Sequence, residues 1–346
     1  MKKVIAASLA ASLSFTAVAD NAFKAPLVKK SLLLDVAATD YAVIVGERGH
    51  ILLSSDGNTF EQATVPTQST LTATTIVGDE VWAVGHDAVI LYSSDRGKSW
   101  VIQNFEPDLQ RPFLDVHFFD SEHGIAVGAY GLFYRTKDGG QNWSAERHAS
   151  LLAPIDLEYL ESVREESEEF YQQELNSILP HINRVTFDDG TLYLAGEAGL
   201  LAHSDDKGQS WQRYDVDYTG SFFDIKPLDE EAVLAVGLRG NMFVMRNNDN
   251  WEFVNTCSTS TLNSILVASD SRVVSLGNNG MLVSATRPLP VSEVDPYANP
   301  LDCTPAEGVS KRQVEDKAAL VNAAQFNGQT IAVSASGIKT LNLEKE

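Results

Sequence analysis

Short apolar runs alternate with polar turns along nearly the whole chain, and the runs come in groups of four. In one such group Leu71 to Val77 reads as an inner strand, Glu80 to Val84 as a second, Val89 to Ser93 as a third and Trp100 to Asn104 as an outer strand. The second run of each group ends in small residues and glycine. This marker is clearest at Ala83-Val84-Gly85, Ala126-Val127-Gly128, Leu194-Ala195-Gly196 and Ala235-Val236-Gly237, and it recurs in weaker form at Gly46, at Gly277 and, with serine in place of glycine, at Ser334. Successive markers lie 39, 43, 68, 41, 40 and 57 residues apart, a period of about 41 residues with insertions of roughly 27 and roughly 16. Seven units of four short strands predict an all-β chain, a seven-bladed β-propeller of four-stranded antiparallel blades. The last unit stops after its third strand, so Ala22 to Lys29, which belong to no unit, are expected to supply the missing outer strand and close the ring.

Both insertions are expected in blade-to-blade connections, decorating one face of the propeller together. The first, residues 149–180, lies between blades 3 and 4 and reads as a helix: Leu157, Leu160, Val163, Phe170, Leu175 and Ile178 recur at loose helical spacing between Pro154 and Pro180. From Asp156 to Glu174 it carries eight acids, Glu161, Glu165 and Glu168 among them, against the single base Arg164. Such a helix needs a surface for its apolar stripe, either the propeller rim, which we favour, or a partner. The second insertion, residues 288–316, reads as a loop.

The turn between third and fourth strands carries a second signature, Ser/Thr-x-Asp-x-Gly-x-x-Trp: Ser93, Asp95, Gly97, Trp100; Thr136, Asp138, Gly140, Trp143; and Ser204, Asp206, Gly208, Trp211. The aspartate can accept from the turn's own N–H groups, the glycine can take a positive φ, and the tryptophan can fold back onto the blade, so each piece has a structural job. The copy at Ser54 is one residue short, and near Asn248 only Trp251 survives.

These turns resemble the Asp-box, or BNR, repeats of sialidase-like propellers. The longer phrase from His117 through Gly128, Gly131-Leu132-Phe133 and Thr136 to Trp143 is similar to repeats of the photosystem II stability and assembly factor family. That resemblance covers nearly the whole chain apart from the insertions. It implies a seven-bladed, non-enzymatic chaperone of the lumen or periplasm that holds a membrane-protein subunit during assembly. In bacteria without photosynthesis it implies a link to membrane transporters of the RND type. Photosynthetic members use an arginine-rich face, whereas this chain has a formal net charge of −21 and scattered arginines.

The charge narrows the partners further. Lys2 and Lys3, the apolar run Val4 to Val18 and Ala17-Val18-Ala19 before Asp20 read as a cleaved signal peptide, residues 1–19. Residues 20–346 then form a single propeller in the periplasm or outside the cell. Loss of the two leader lysines takes the net charge from −21 to −23, which disfavours nucleic acid and anionic lipid and suits either basic partners or plain solubility. No later run is long enough to span a membrane, and no cysteine follows the leader to take a lipid. Cys257 and Cys303 are the only cysteines. In an oxidising compartment such a pair points to a disulfide, with two buried small hydrophobes or a redox pair as alternatives, the latter disfavoured by the lack of a Cys-x-x-Cys.

If the Asp-box turns line one rim, the turns between second and third strands ring the opposite mouth of the central channel. They place there Glu47, Arg48, His50, His86, Asp87, Tyr130, Glu197, Arg239 and Asn278, a set of charged, aromatic and amide groups fit for a protein partner, though each alone is also ordinary turn chemistry. HExxH, Gly-x-Ser-x-Gly and zinc-spaced Cys/His clusters are absent, and Gly97-Lys98-Ser99 lacks the earlier glycine of a phosphate loop. No catalytic residue, metal or cofactor is therefore assigned. The alternative is a glycan-binding or glycosidase-like propeller using carboxylates such as Glu47, Asp87 and Glu197.

Overall fold

The structure, a computed structural model, describes residues 20–229, 232–246, 250–292 and 303–343. The leader at 1–19, Asn248 and residues 293–302 of the second insertion lie outside them. Seven antiparallel sheets follow one another along the chain as the blades of a propeller, with inner strands Leu33–Ala38, Leu71–Val77, Phe113–Phe118, Ile182–Asp188, Phe222–Asp229, Leu262–Ser269 and Leu320–Phe326. Six sheets have four strands; the seventh has three, ending with Gly337–Leu341. The second strands are almost wholly buried, Ala42–Gly46 and Gly124–Gly128 at every residue, because neighbouring blades cover both faces. Outer strands such as Glu61–Gln62 and Gln212–Arg213 shrink to two partly exposed residues.

The repeated marker glycine has a steric cause. A Cβ at Gly46, Gly85, Gly128, Gly196, Gly237 or Gly277 would stand 2.0–2.4 Å from the carbonyl oxygen of the residue preceding its blade's inner strand. The next residue's N–H bonds that same oxygen, as from Glu47 to Leu32 at 3.0 Å and from His86 to Thr70 at 2.9 Å. In the seventh blade Ala335 makes the equivalent bond to Ala319 at 2.9 Å, with Ser334 in the marker position.

Polar stitches join the blades around the channel, and they alternate in kind. Asp35 of blade 1 accepts the Thr74 N–H at 2.8 Å, Asp115 of blade 3 the Val185 N–H at 2.8 Å, and Asp224 of blade 5 the Ile265 N–H at 2.7 Å. Blades 2, 4 and 6 donate instead: Thr72 to the Phe113 carbonyl at 2.8 Å, Asn183 to Phe222 at 2.7 Å and Asn263 to Leu320 at 2.8 Å. The last joint runs from side chain to side chain, Asn322 Nδ2 of blade 7 donating to Asp35 Oδ1 of blade 1. Arg184 lies between Asp115 and Asp224, at 3.4 and 3.7 Å. Burial opposes its charge, but the two carboxylates outweigh burial and raise its pKa.

Three expectations are corrected here. Ala22 to Lys29 form no outer strand. Residues 21–25 instead hydrogen-bond to blade 1, through Ala22 N to Val65 O at 2.9 Å and Gln62 Nε2 to Phe23 O at 2.7 Å, and Val28–Lys30 make one 3₁₀ turn against the last strand. Pro26 in this stretch has no N–H to give to a strand ladder. The second insertion is not a blade-to-blade connection. It joins the third strand of blade 6, Met281–Thr286, to its outer strand, Val309–Gln313, and so departs from the Asp-box side rather than sharing the first insertion's face. Cys303 in this insertion is bonded to Cys257 in the connection leaving blade 5, with Cα atoms 5.6 Å apart. The first insertion is two helices, α1 (Pro154–Glu166) and α2 (Glu168–Ile178). Ser167 between them is extended, and its side chain accepts the Phe170 N–H.

The Asp-box turns share one set of bonds. Ser93 Oγ accepts the Gly97 N–H at 2.8 Å and Asp95 Oδ1 the Ser99 N–H at 2.8 Å; Thr136 and Asp138 do the same for Gly140 and Asn142, as do Ser204 and Asp206 for Gly208 and Ser210. Gly97, Gly140 and Gly208 have φ of 82°, 85° and 81°. Trp100 and Trp211 are buried, and Trp143 is partly so. The shortened copy closes in the same way, with Gly57 on Ser54 and Thr59 on Asp56.

Two predictions follow from this architecture. Asp224→Ala orphans the N–H groups of Ile225 and Ile265, and urea unfolding should show a loss of about 2–4 kcal/mol, with Asp224→Asn, which keeps one acceptor, losing less. The Ser99 hydroxyl and N–H hold the Asp95 pKa at about 2, below its unfolded value of 3.8. Its stabilising effect is therefore complete above the unfolded value and is lost as pH falls through about 2. The Tm gap between the parent and Asp95→Ala should be constant at neutral pH and close between pH 4 and pH 2.

Candidate functional site

Where the second strand turns into the third, each of the first six blades makes the same tight bend, and its middle residue is left-handed. These residues are Arg48, Asp87, Tyr130, Ala198, Arg239 and Asn279, with φ between 53° and 60°. Four of the six, all but Asp87 and Asn279, are not among the residue types that take this conformation most cheaply. Arg48, His86, Tyr130, Arg239 and Asn278 are exposed at these bends, and Asp87, Glu47 and Glu197 are partly so. His50 is the exception. Its side chain is buried beneath the first bend, burial lowers its pKa, and it offers no surface to a partner.

The three mouth carboxylates are engaged by their own blades. Glu47 Oε1 accepts the Leu32 N–H at 3.2 Å, Asp87 Oδ2 the Ser69 hydroxyl at 2.6 Å, and Glu197 the His181 N–H at 3.4 Å. Each thus braces a turn of its own blade. Among the described residues no group of three or more His, Cys, Asp or Glu side chains is arranged to hold a metal.

Between blades 3 and 4 the mouth residues do come together with groups not anticipated above. Arg111 stacks over the Tyr130 ring at 5.4 Å, Tyr130 meets the His181 ring edge-on at 4.5 Å, and His181 Nδ1 lies 3.3 Å from Glu197. The helical hairpin rises beside this chain of contacts. Its base is held by Gly131 N to Pro180 O at 3.0 Å and by Arg111 Nη2 to Asn176 O at 2.8 Å. Arg147 Nε to Asn176 Oδ1 at 2.7 Å and Arg213 Nη1 to Leu151 O at 2.7 Å complete the attachment. Three arginines thus tie the hairpin to the rim, and none lies in a repeat phrase. The available signal was their position, since Arg147 stands two residues before the insertion.

The hairpin keeps part of its apolar surface to itself. Leu152, Leu160, Tyr171, Leu175 and Leu179 form a small core between the two helices and the rim. Ile155, Tyr159 and Phe170 stay exposed, at 75%, 51% and 60%. Glu158, Glu161 and Glu165 border a surface groove of about 520 Å³ along α1, floored by Pro154 and Leu157. Arg164 sits at 3.0 Å from Glu168 and 3.8 Å from Glu161 and lies over the Tyr171 ring, leaving the remaining glutamates of the hairpin to dominate its field. Among the described residues no helix is long and apolar enough to cross a membrane.

Comparison with known proteins places this geometry. The model of a family described as photosynthesis system II assembly factor YCF48 matches residues 17–111 and 102–288. The photosystem II assembly lipoprotein Ycf48 of Prochlorococcus marinus strain MIT 9312 is 28% identical over 165 residues, 40% of this chain and 47% of that protein. The protein of the same name from Synechococcus sp. strain CC9902 is 28% identical over 178 residues, 51% of this chain and 46% of that one. The chain thus spans about half the length of the curated relatives it matches. Among solved structures, YCF48 from Cyanidioschyzon merolae superposes with a TM-score of 0.63 at 17% identity, over 90% of this chain and 96% of that one. YCF48 bound to D1 peptide gives 0.62 at 15%, over 93% and 98%. With its family model running from the first blade into the sixth, the chain belongs to the photosystem II assembly factor Ycf48 family.

Proposed function

We propose that this protein is a non-enzymatic assembly factor or scaffold of the periplasm or cell exterior, which holds a membrane-protein client against its mouth face. The observation that carries the reading is the hairpin. It is anchored to the rim by Arg111, Arg147 and Arg213, yet it presents Ile155, Tyr159 and Phe170 to solvent among glutamates. Exposed aromatic and aliphatic anchors on a pre-ordered element, ringed by charge of one sign, are the composition of a protein-binding patch. The acidic surround favours a client segment that is basic as well as apolar.

Relatives support the class of activity. The matched proteins bear the names of assembly factors, and one solved relative was captured with a D1 peptide. The acidic hairpin, however, favours a client other than a photosystem subunit, and a transporter complex of the RND type suits a bacterial periplasmic member. Exposed mouth residues Arg48, His86, Asp87, Tyr130, Glu197, Arg239 and Asn278 would complete the contact around the channel, with Glu161, Glu165 and Glu168 on the hairpin.

Crosslinking in membranes of the native host, followed by detergent extraction and co-purification, tests this reading. The intact protein should recover a membrane protein. A folded variant whose residues 149–180 are replaced by a short linker should recover it at least about tenfold less, the change expected from losing a few anchor side chains. Equal recovery by both forms would remove the hairpin from the site, and recovery by neither would remove the scaffold. A milder variant, Ile155→Asp with Phe170→Asp, should leave the Tm unchanged, because both side chains are already in water, and should still lose the client.

A further inference from the structure

The seventh blade leaves open a space that the other blades fill. At two joints that show how it is filled, a tryptophan at the start of the next blade's outer segment covers the outer part of the preceding blade. Trp211 meets Phe133 of blade 3 at 6.4 Å and Trp251 meets Tyr214 of blade 4 at 5.6 Å. Blade 7 has no outer strand among the described residues and no such tryptophan. Over the outer part of blade 6, where that strand would lie, there is instead a groove of about 530 Å³. Val274 and Leu282 form its apolar floor, Ser284 its polar side, and Leu343, just beyond the last strand, its lip.

The charge around this groove is anomalous for so acidic a chain. Arg272 and Arg312 both line it, and among the described residues neither has a carboxylate within ion-pair distance. Arg312 Nη2 donates to the Asn342 carbonyl, and burial together with the neighbouring Arg272 lowers its pKa. Two partly buried guanidiniums that repel each other favour an anion between them. Beside them runs Gly337–Leu341, which pairs with Gln329–Ser334 on one side; on the other the Lys29 carbonyl closes on Gly337, and among the described residues no strand pairs with residues 338–341. An edge of this kind presents free backbone donors and acceptors to an extended chain.

We propose that this edge is a second docking site, which takes an extended acidic segment of a partner protein as the fourth strand of blade 7. The segment pairs with Gly337–Leu341 and turns one face to blade 6, and on that face an apolar side chain meets Val274 and Leu282 while carboxylates meet Arg272 and Arg312. Because strand side chains alternate between faces, these residues stand two apart along the segment. The site is on different blades from the hairpin, and its occupant has the opposite charge from the client proposed above.

The test uses a fluorescein-labelled seven-residue peptide, threonine at every position but the second, fourth and sixth, which are glutamate, valine and glutamate on one face, and a control in which threonine replaces both glutamates. Anisotropy should show tighter binding of the glutamate peptide despite the protein's net negative charge. Amide exchange over residues 337–341 should slow when it is bound. Arg272→Gln with Arg312→Gln should weaken binding by at least about tenfold, as expected for losing two charge-assisted contacts. Equal affinity for the two peptides, unchanged exchange over 337–341, or full affinity in the double variant would overturn the proposal. Should the double variant fail to fold, the glutamate–valine strand can be fused through a short turn after residue 346. That chain should have a raised Tm and no longer bind free peptide; an unchanged Tm with peptide binding intact would overturn the proposal equally.

Discussion

The propeller depends on how seven sheets, each twisted and each hydrophobic on both faces, are held in one register around an axis. Apolar packing between blades is strong but non-directional, and it would tolerate sliding of one sheet over the next. The stitches along the inner strands remove that freedom. Asp35, Asp115 and Asp224 reach forward to take a backbone N–H, and Thr72, Asn183 and Asn263 reach forward to give a proton to a backbone carbonyl. The aspartate bonds are buried and the other three partly so, and breaking a buried one leaves a group unpaired. Everything at the mouth, from the left-handed bends to the hairpin base, is positioned by strands whose height this ring sets.

Much of this was legible from residues alone, because a repeat states the same steric problem several times. The marker glycine recurred since one carbonyl oxygen approaches within 2.4 Å of where a Cβ would be, in six blades out of seven. The Asp-box turns were legible for a similar reason, as their hydrogen bonds close within eight residues and need no tertiary context. The stitches were not, although Asp35, Asp115 and Asp224 stand at equivalent positions of alternate blades. A period of two blades is invisible to a search for a period of one.

The mouth was only half legible. Which turns line it follows from strand order, but what each side chain does there depends on neighbours from other blades. His50 looked like a surface group and is buried. Tyr130 and Glu197 were read as separate turn residues, and His181, from a connection the repeat does not describe, joins them. The second insertion was misplaced because the outer strand that follows it, Val309–Gln313, is short and mostly polar and does not read as part of the blade before it. Only pairing of Met281–Thr286 with Val309–Gln313 shows that the excursion lies inside a blade.

The alternation of stitches carries an arithmetical consequence. Blades that accept and blades that donate can alternate without fault only around an even ring, and seven is odd. Somewhere two neighbouring blades must share a role, and here blades 6 and 7 both donate, so that the seam falls at the Asn322–Asp35 pair, where blade 1 accepts from both neighbours. The seam is written in side chains, not in the position of the chain ends. A circular permutant opened between any other two blades would therefore still carry its seam between Asp35 and Asn322, whereas loss of blade 7 would leave an even ring with no need of one. Gain or loss of blades in pairs would preserve the pattern, which makes the two-blade unit the natural module in which such a ring could grow.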